Sequence, residues 1–215
     1  MDKPEQTFEG GTIIRPTLEK GKQVVFPLFP VSVYVVPYEK DFTKELEFIK
    51  TCKYRFSGTN YISEDTFILK HKELSNLSAF IQQHLDIFSK EMLQLNHSLV
   101  PTQSWVNKNP KQSWHHRHSH PNSILSGVFY LSTNKTSPIH FSSRDISSFH
   151  VEHARLSGCF FPVRTGDLII FPSDLTHGVP SNQEDEERIS LSFNTFSAGP
   201  IGNKENLTYL DISVK

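Results

Sequence analysis

Four residues late in the chain could do chemistry together. His118 and His120 stand one residue apart in WHHRHSHPNS, His177 follows in FPSDLTHGVP, and Arg188 opens RISLSFN. Neutral imidazole is a good ligand for iron, zinc, copper and nickel, and a mononuclear site with open positions can take both a cosubstrate and oxygen. Arginine presents a planar fork of donors that pairs with both oxygens of a carboxylate. Two close imidazoles, a third far downstream and then an arginine read as a metal site with an anion-binding arm. An oxygen-using iron enzyme is the leading reading. Each member alone has a plainer one: a surface histidine patch, a loop histidine, and a surface charge that ends the acidic run Glu184–Glu187. The order of all four carries the argument.

Strand alternation puts His116, His118 and His120 on one side of their segment, and His115 with Arg117 on the other. His116 competes as first ligand, paired with His118. The pair His118 and His120 is preferred because Pro121 turns the chain away directly after it; His116 could then orient a ligand. Arg188–Asn194 alternates cleanly. Ile189, Leu191 and Phe193 form an apolar face that can pack on helices. Arg188, Ser190, Ser192 and Asn194 form a face that must meet solvent or a polar cavity, and an arginine followed two residues on by a serine suits a small carboxylate. In Ile124–Leu131, Ser126, Val128 and Tyr130 share one face; turned inward, Ser126 and Tyr130 line the cavity, and Gly127 allows close backbone approach.

The elements that must position these residues follow from periodicity. Residues 1–22 read as a polar tail. Residues 23–100 read as a supporting region, and 101–215 as the core, within one compact domain. Val24–Pro37 predicts one or two strands, with Pro27 and Pro30 keeping part of it at a sheet edge. Lys40–Lys53 has helical spacing at Phe42, Leu46 and Ile49, with Asp41 as a cap. Tyr54–Asn60 reads as loop and Phe67–Leu69 as a short strand. Ser75–Leu95 is the strongest helix, with a broad apolar stripe. Thereafter short strands are predicted near 103–107, 112–117, 124–131, 138–142, 150–154, 159–163, 167–171, 176–180 and 188–196, with another near 207–213. Many short strands spaced by turns argue for a sandwich, jelly roll or barrel.

Composition excludes some functions. Lys+Arg number 22 and Asp+Glu 23, so no overall field draws the chain to nucleic acid or anionic membrane. Cys52 and Cys159 are isolated, form neither a zinc motif nor a disulfide framework, and read as small buried apolar residues. No signal peptide and no run able to span a bilayer is seen, so a cytoplasmic, reducing location is expected.

HSHPNSILSGVFYL, then GDLIIFPSDLTHGVP, then ERISLSFN together resemble a family of 2-oxoglutarate and Fe(II)-dependent oxygenases, small bacterial and phage members of the prolyl-hydroxylase-like superfamily. The resemblance covers roughly residues 100–196, with a weaker echo at PLFPVSVYVV. It implies a double-stranded β-helix, or jelly roll, so the expected fold is α+β, mainly β, with N-terminal helices backing the barrel. It implies His118 as first ligand, His177 as distal ligand, and Arg188 with Ser190 as anchor for the far carboxylate of 2-oxoglutarate. Fe(II), 2-oxoglutarate and O2 are the implied cofactors; succinate and CO2 are the implied products. One position departs from the superfamily, which has His-x-Asp or His-x-Glu where His120 stands. Either His120 ligates in place of the carboxylate or water fills that position. Tyr130, Asn107 and Asn194 are further candidates for hydrogen bonds to the cosubstrate, and Arg144 for reaching a substrate from a loop at the mouth. Mouth loops are expected at 132–158 and 54–66. The substrate, a small molecule or a peptide side chain, has no readable code, and homodimerisation is left open. Two other classes stay in view: a cupin-like zinc or other metal enzyme without 2-oxoglutarate, and a non-catalytic β-sandwich binding module.

Overall fold

The computed structural model describes residues 31–134, 138–142 and 158–212. The chain forms two contact units, Met1–Val31 and Ser32–Lys215, and every element named below lies in the second. The predicted strand near 150–154 and Arg144 lie outside the described residues, as does Val24–Pro30.

Seven strands form the larger sheet: β1 (Tyr34–Pro37), β2 (Tyr54–Phe56), β3 (Tyr61–Ser63), β4 (Leu99–Asn109), β6 (Leu125–Ser132), β9 (Asp167–Pro172) and β11 (Arg188–Ser197). Their order is β1-β9-β6-β11-β4-β3-β2. A smaller sheet, in the order β5-β10-β7-β8, holds β5 (His115–His118), β7 (Ile139–Ser142), β8 (Gly158–Phe161) and β10 (Thr176–Val179). Pairing within both sheets is antiparallel. A separate ribbon pairs β12 (Gly199–Ile201) with β13 (Leu210–Ile212). This is the jelly roll expected from the sequence.

Alternation explains how the sheet serves two cores at once. Leu125, Phe129 and Leu131 of β6, Leu168 and Ile170 of β9, and Ile189, Leu191 and Phe193 of β11 are buried with helical residues. Those come from α1 (Thr43–Thr51) and α2 (Ser75–Asp86), which contribute Ile49, Leu77, Ile81 and Leu85. The opposite faces carry Val128 and Tyr130, then Ile169 and Phe171, and these pack with Ile139 and Phe141 of the small sheet. β9 therefore reads as an unbroken apolar run, LIIF, because both of its faces are covered. Each fully buried Leu, Ile or Phe contributes about 1.5–3 kcal/mol of burial free energy.

Several local expectations need correction. Tyr54–Asn60 is not loop: β2 and β3 form a hairpin around Ser57–Asn60, and β3 adds to the edge of β4 through Tyr61 opposite Lys108. Gly58 supplies the positive φ of 97° that this turn needs. Phe67–Leu69 is not a strand; Ile68–Lys70 is a short 3-10 turn, tied to β4 by a single bridge between Phe67 and Ser104. The second helix continues through Ile87–Met92 as a π-helix. Asp41 is not the cap of α1: the N-cap is Phe42, with no side-chain cap hydrogen bond, and Asp41, one residue earlier, accepts from the Thr43 backbone N–H at 3.2 Å and from its hydroxyl at 2.6 Å. Cys159 is exposed rather than buried, while Cys52 is half-buried. Among the described residues no helix is long and apolar enough to cross a membrane.

Candidate metal centre

Strand register brings His118 and His177 together. β10 lies between β5 and β7, and its His177 stands opposite His118. His120 lies past the end of β5, where its backbone N–H donates to Ser173 O at 2.9 Å, which holds it over the turn leading into β10. The three side chains each offer a ring nitrogen, all within 4.8 Å of one another.

The ring orientations suit a metal. His118 Nδ1 lies 2.8 Å from the His116 carbonyl, and His177 Nδ1 lies 2.9 Å from the Leu175 carbonyl. A carbonyl can only accept, so each Nδ1 carries the proton and each Nε2 is left as a free lone pair. His120 Nε2 and His177 Nε2 are 3.2 Å apart. Adjacent ligands on a metal with bonds of about 2.1 Å lie about 3.0 Å apart. The residues present therefore fit a small divalent ion. Burial favours the neutral, ligating form of each ring. It pushes His177 down to about 3, and it pushes His120 down to about 4 with help from the nearby His118 ring. His118 is lowered too, again chiefly by burial.

His115 and His116 reverse their expected faces. His115 was assigned away from the ligands, yet its ring stacks on His118 at 4.6 Å between centroids and lines the same pocket. Burial and the neighbouring imidazoles push it down to about 3. His116 is exposed. The cause is an irregularity in the β5–β10 pairing between His177 and Val179, which breaks strict alternation. His115, His116 and His118 also converge within 4.8 Å.

Arg188 lines the same pocket. Its residue is 2 % exposed, and its Nε has no hydrogen-bond partner among the described residues. Its guanidinium carbon sits 5.1 Å from the centre of the buried Tyr130 ring. No carboxylate of the described residues pairs with it. Burial lowers the Arg188 pKa and raises that of Tyr130, but guanidinium keeps its charge in proteins. A desolvated, uncompensated cation is costly, and an anion bound in the pocket would remove that cost.

The remaining expected residues divide. Ser190 and Asn107 are buried, line the pocket and face one another across β11 and β4. Asn107 donates to Ser192 Oγ at 3.0 Å and accepts from Asn60 Nδ2 at 3.3 Å. Asn194 accepts from Ser126 Oγ at 2.9 Å and is not among the residues that line the pocket. Tyr130 lies beneath Arg188 rather than in the wall. Gly127 admits a ring, not a backbone: a Cβ there would stand 2.2 Å from Phe193 Cζ. Asn109 and Trp105 also line the pocket. Both share the Asn107 face of β4 by period two, a signal the sequence carried unread.

Residues 103–194 match the family described as "Putative 2OG-Fe(II) oxygenase". No curated protein sequence matches the chain. Solved structures share the fold. An oxidoreductase of the 2OG-Fe(II) oxygenase family from Burkholderia pseudomallei is 13% identical, with a TM-score of 0.58 over 76% of this chain and 83% of that one. HygX from Streptomyces hygroscopicus, with nickel, 2-oxoglutarate and hygromycin B bound, is 10% identical, with a TM-score of 0.59 over 77% and 82%. A prolyl-4-hydroxylase from Pseudomonas putida is 15% identical, with a TM-score of 0.55 over 79% and 94%.

Proposed function

We propose that this chain, whose residues 103–194 match the 2OG-Fe(II) oxygenase family, is a 2-oxoglutarate-dependent oxygenase in which His118, His120 and His177 hold Fe(II), and Arg188 with Ser190 holds the far carboxylate of 2-oxoglutarate. The reaction consumes 2-oxoglutarate, O2 and a substrate C–H, and yields succinate, CO2 and the hydroxylated substrate. When bound, iron supplies the redox chemistry that couples decarboxylation to oxidation. The protein supplies position. The Nδ1 hydrogen bonds of His118 and His177 fix both rings with Nε2 inward. The buried guanidinium sets where the cosubstrate's distal end must lie, which aims its keto acid end at the imidazoles. Tyr130 supports Arg188 from below through its ring face. Val128, Phe171 and Ile139 form an apolar wall in the same pocket, which keeps bulk water from the reacting atoms.

The observation that carries this reading is the pairing, in one pocket, of three converging imidazoles with a buried arginine that has no carboxylate partner among the described residues. A zinc hydrolase would need the first feature and not the second. The test is anaerobic addition of Fe(II), then 2-oxoglutarate, to metal-free protein. A visible metal-to-ligand charge-transfer band should form only with both, and should be lost in Arg188→Ala and His177→Ala. Iron binding without a band on adding 2-oxoglutarate would sink the reading and favour the cupin-like alternative.

A further inference from the structure

Arg188 has a neighbour that the sequence reading passed over. In the β4–β11 ladder Asn109 stands directly opposite Arg188, as Asn107 stands opposite Ser190. Both asparagines lie on one face of β4, two residues apart, and both line the pocket. They differ in what their amides do. Asn107 Nδ2 is engaged with Ser192 Oγ. Asn109 is 1 % exposed, and its Nδ2 has no hydrogen-bond partner among the described residues. A buried amide N–H2 left unpaired costs free energy. Arg188 Nε, across the ladder, is unpaired too. Two orphaned donors, one charged and one neutral, thus line one pocket from paired strands.

We propose that Asn109 is a second anchor for the distal carboxylate of the cosubstrate, its Nδ2 donating to one oxygen while Arg188 takes the charge. The inference rests on the reading of the pocket as a 2-oxoglutarate site and adds to it a residue that sets cosubstrate choice. A neutral donor beside the guanidinium adds a hydrogen bond for an acceptor without adding a second charge to bury. It favours a 2-oxo acid with a carboxylate at its far end. A monoacid that ends short of that place leaves both donors unpaired, and buried donors left without acceptors discriminate strongly.

The experiment measures binding, not turnover. Ni(II)-loaded protein is titrated calorimetrically with 2-oxoglutarate and, separately, with 2-oxobutyrate, which carries the same metal-chelating end and no distal carboxylate. Asn109→Ala should weaken 2-oxoglutarate about 10- to 100-fold, the range for a hydrogen bond to a charged group, and leave 2-oxobutyrate unchanged. Asn109→Asp should abolish 2-oxoglutarate binding, because the new carboxylate pairs with Arg188 and fills the cradle, again without affecting 2-oxobutyrate. Asn109→Ser, which is small and keeps a donor, covers the case in which the aspartate variant fails to fold. Unchanged 2-oxoglutarate affinity in Asn109→Ala and Asn109→Ser overturns the proposal, as does an equal loss for both acids. Arg188→Ala, run alongside, separates the two claims. A loss there with none at Asn109 refutes only the second anchor, whereas no loss at either position refutes the cosubstrate site itself.

Discussion

His120 is the residue on which the metal chemistry turns. In the proposed site it stands where the family resemblance leads one to expect a carboxylate, and its Nε2 is 3.2 Å from that of His177. Three imidazoles carry one negative charge fewer than two imidazoles and a carboxylate, so the centre draws less of its metal affinity from charge. Replacing His120 with Asp restores that charge. The variant should bind Fe(II) at least as tightly as the parent, in an anaerobic competition assay against a coloured chelator, while His120→Ala should bind it more weakly. Equal affinity in all three proteins would show that His120 is not a ligand. Arg188 acts at the same scale but on the other partner. Arg188→Ala removes the charged fork alone, so 2-oxoglutarate affinity should fall about 100-fold or more with metal affinity unchanged; parallel titrations of the two ligands check this, and equal cosubstrate affinity would refute the assignment.

At the scale of elements, the site depends on two strands being held flush. β11 carries Arg188 and Ser190 toward the pocket only because Ile189, Leu191 and Phe193 are locked against the helices. The tip of the Phe193 ring in turn lies over Gly127 of β6, where there is no room for a methyl group. Gly127→Ala must push that ring or the strand aside. Overpacking of this kind costs about 1–3 kcal/mol, so a lower denaturation midpoint in urea is expected. Because β6 and β11 are neighbours, the same change should weaken 2-oxoglutarate binding. A variant as stable as the parent would mean that the sheet yields here without strain.

At the scale of the whole molecule, the metal-free protein should be sensitive to acid. His115 and His177 titrate near 3 in the fold, and His120 near 4, against an ordinary value near 6.5. Below about pH 6.5 the unfolded chain takes up protons that the folded one refuses, so the stability present above that pH is lost progressively down to about 3–4. His177, almost wholly buried, alone accounts for roughly 1 kcal/mol between pH 6.5 and 5.5. Melting curves of apo protein from pH 7 to 5 should show a falling Tm, and a divalent ion that requires the neutral imidazoles should raise Tm at pH 7 by mass action. A flat apo profile would place these rings closer to water than the structure does.

What the amino-acid order determined by itself was the pattern: HxH, distal histidine and arginine in sequence, period-two strands with one apolar face, and a helix over Ser75–Leu95, which the structure realises as α2 and the π-helical turn after it. These are local properties, and alternation along β11 was enough to put Arg188 and Ser190 on a single face. The resemblance carried by three short segments, and not alternation, named the family that residues 103–194 match. Tertiary structure decided the rest. The β2–β3 hairpin exists because β3 has the edge of β4 to pair with; two strands of three residues carry no signal of their own. His115 reaches the pocket because the β5–β10 register slips, which depends on a strand some sixty residues away. Asn109 matters because it lies opposite Arg188, and which residue faces which across a sheet is written in neither strand alone.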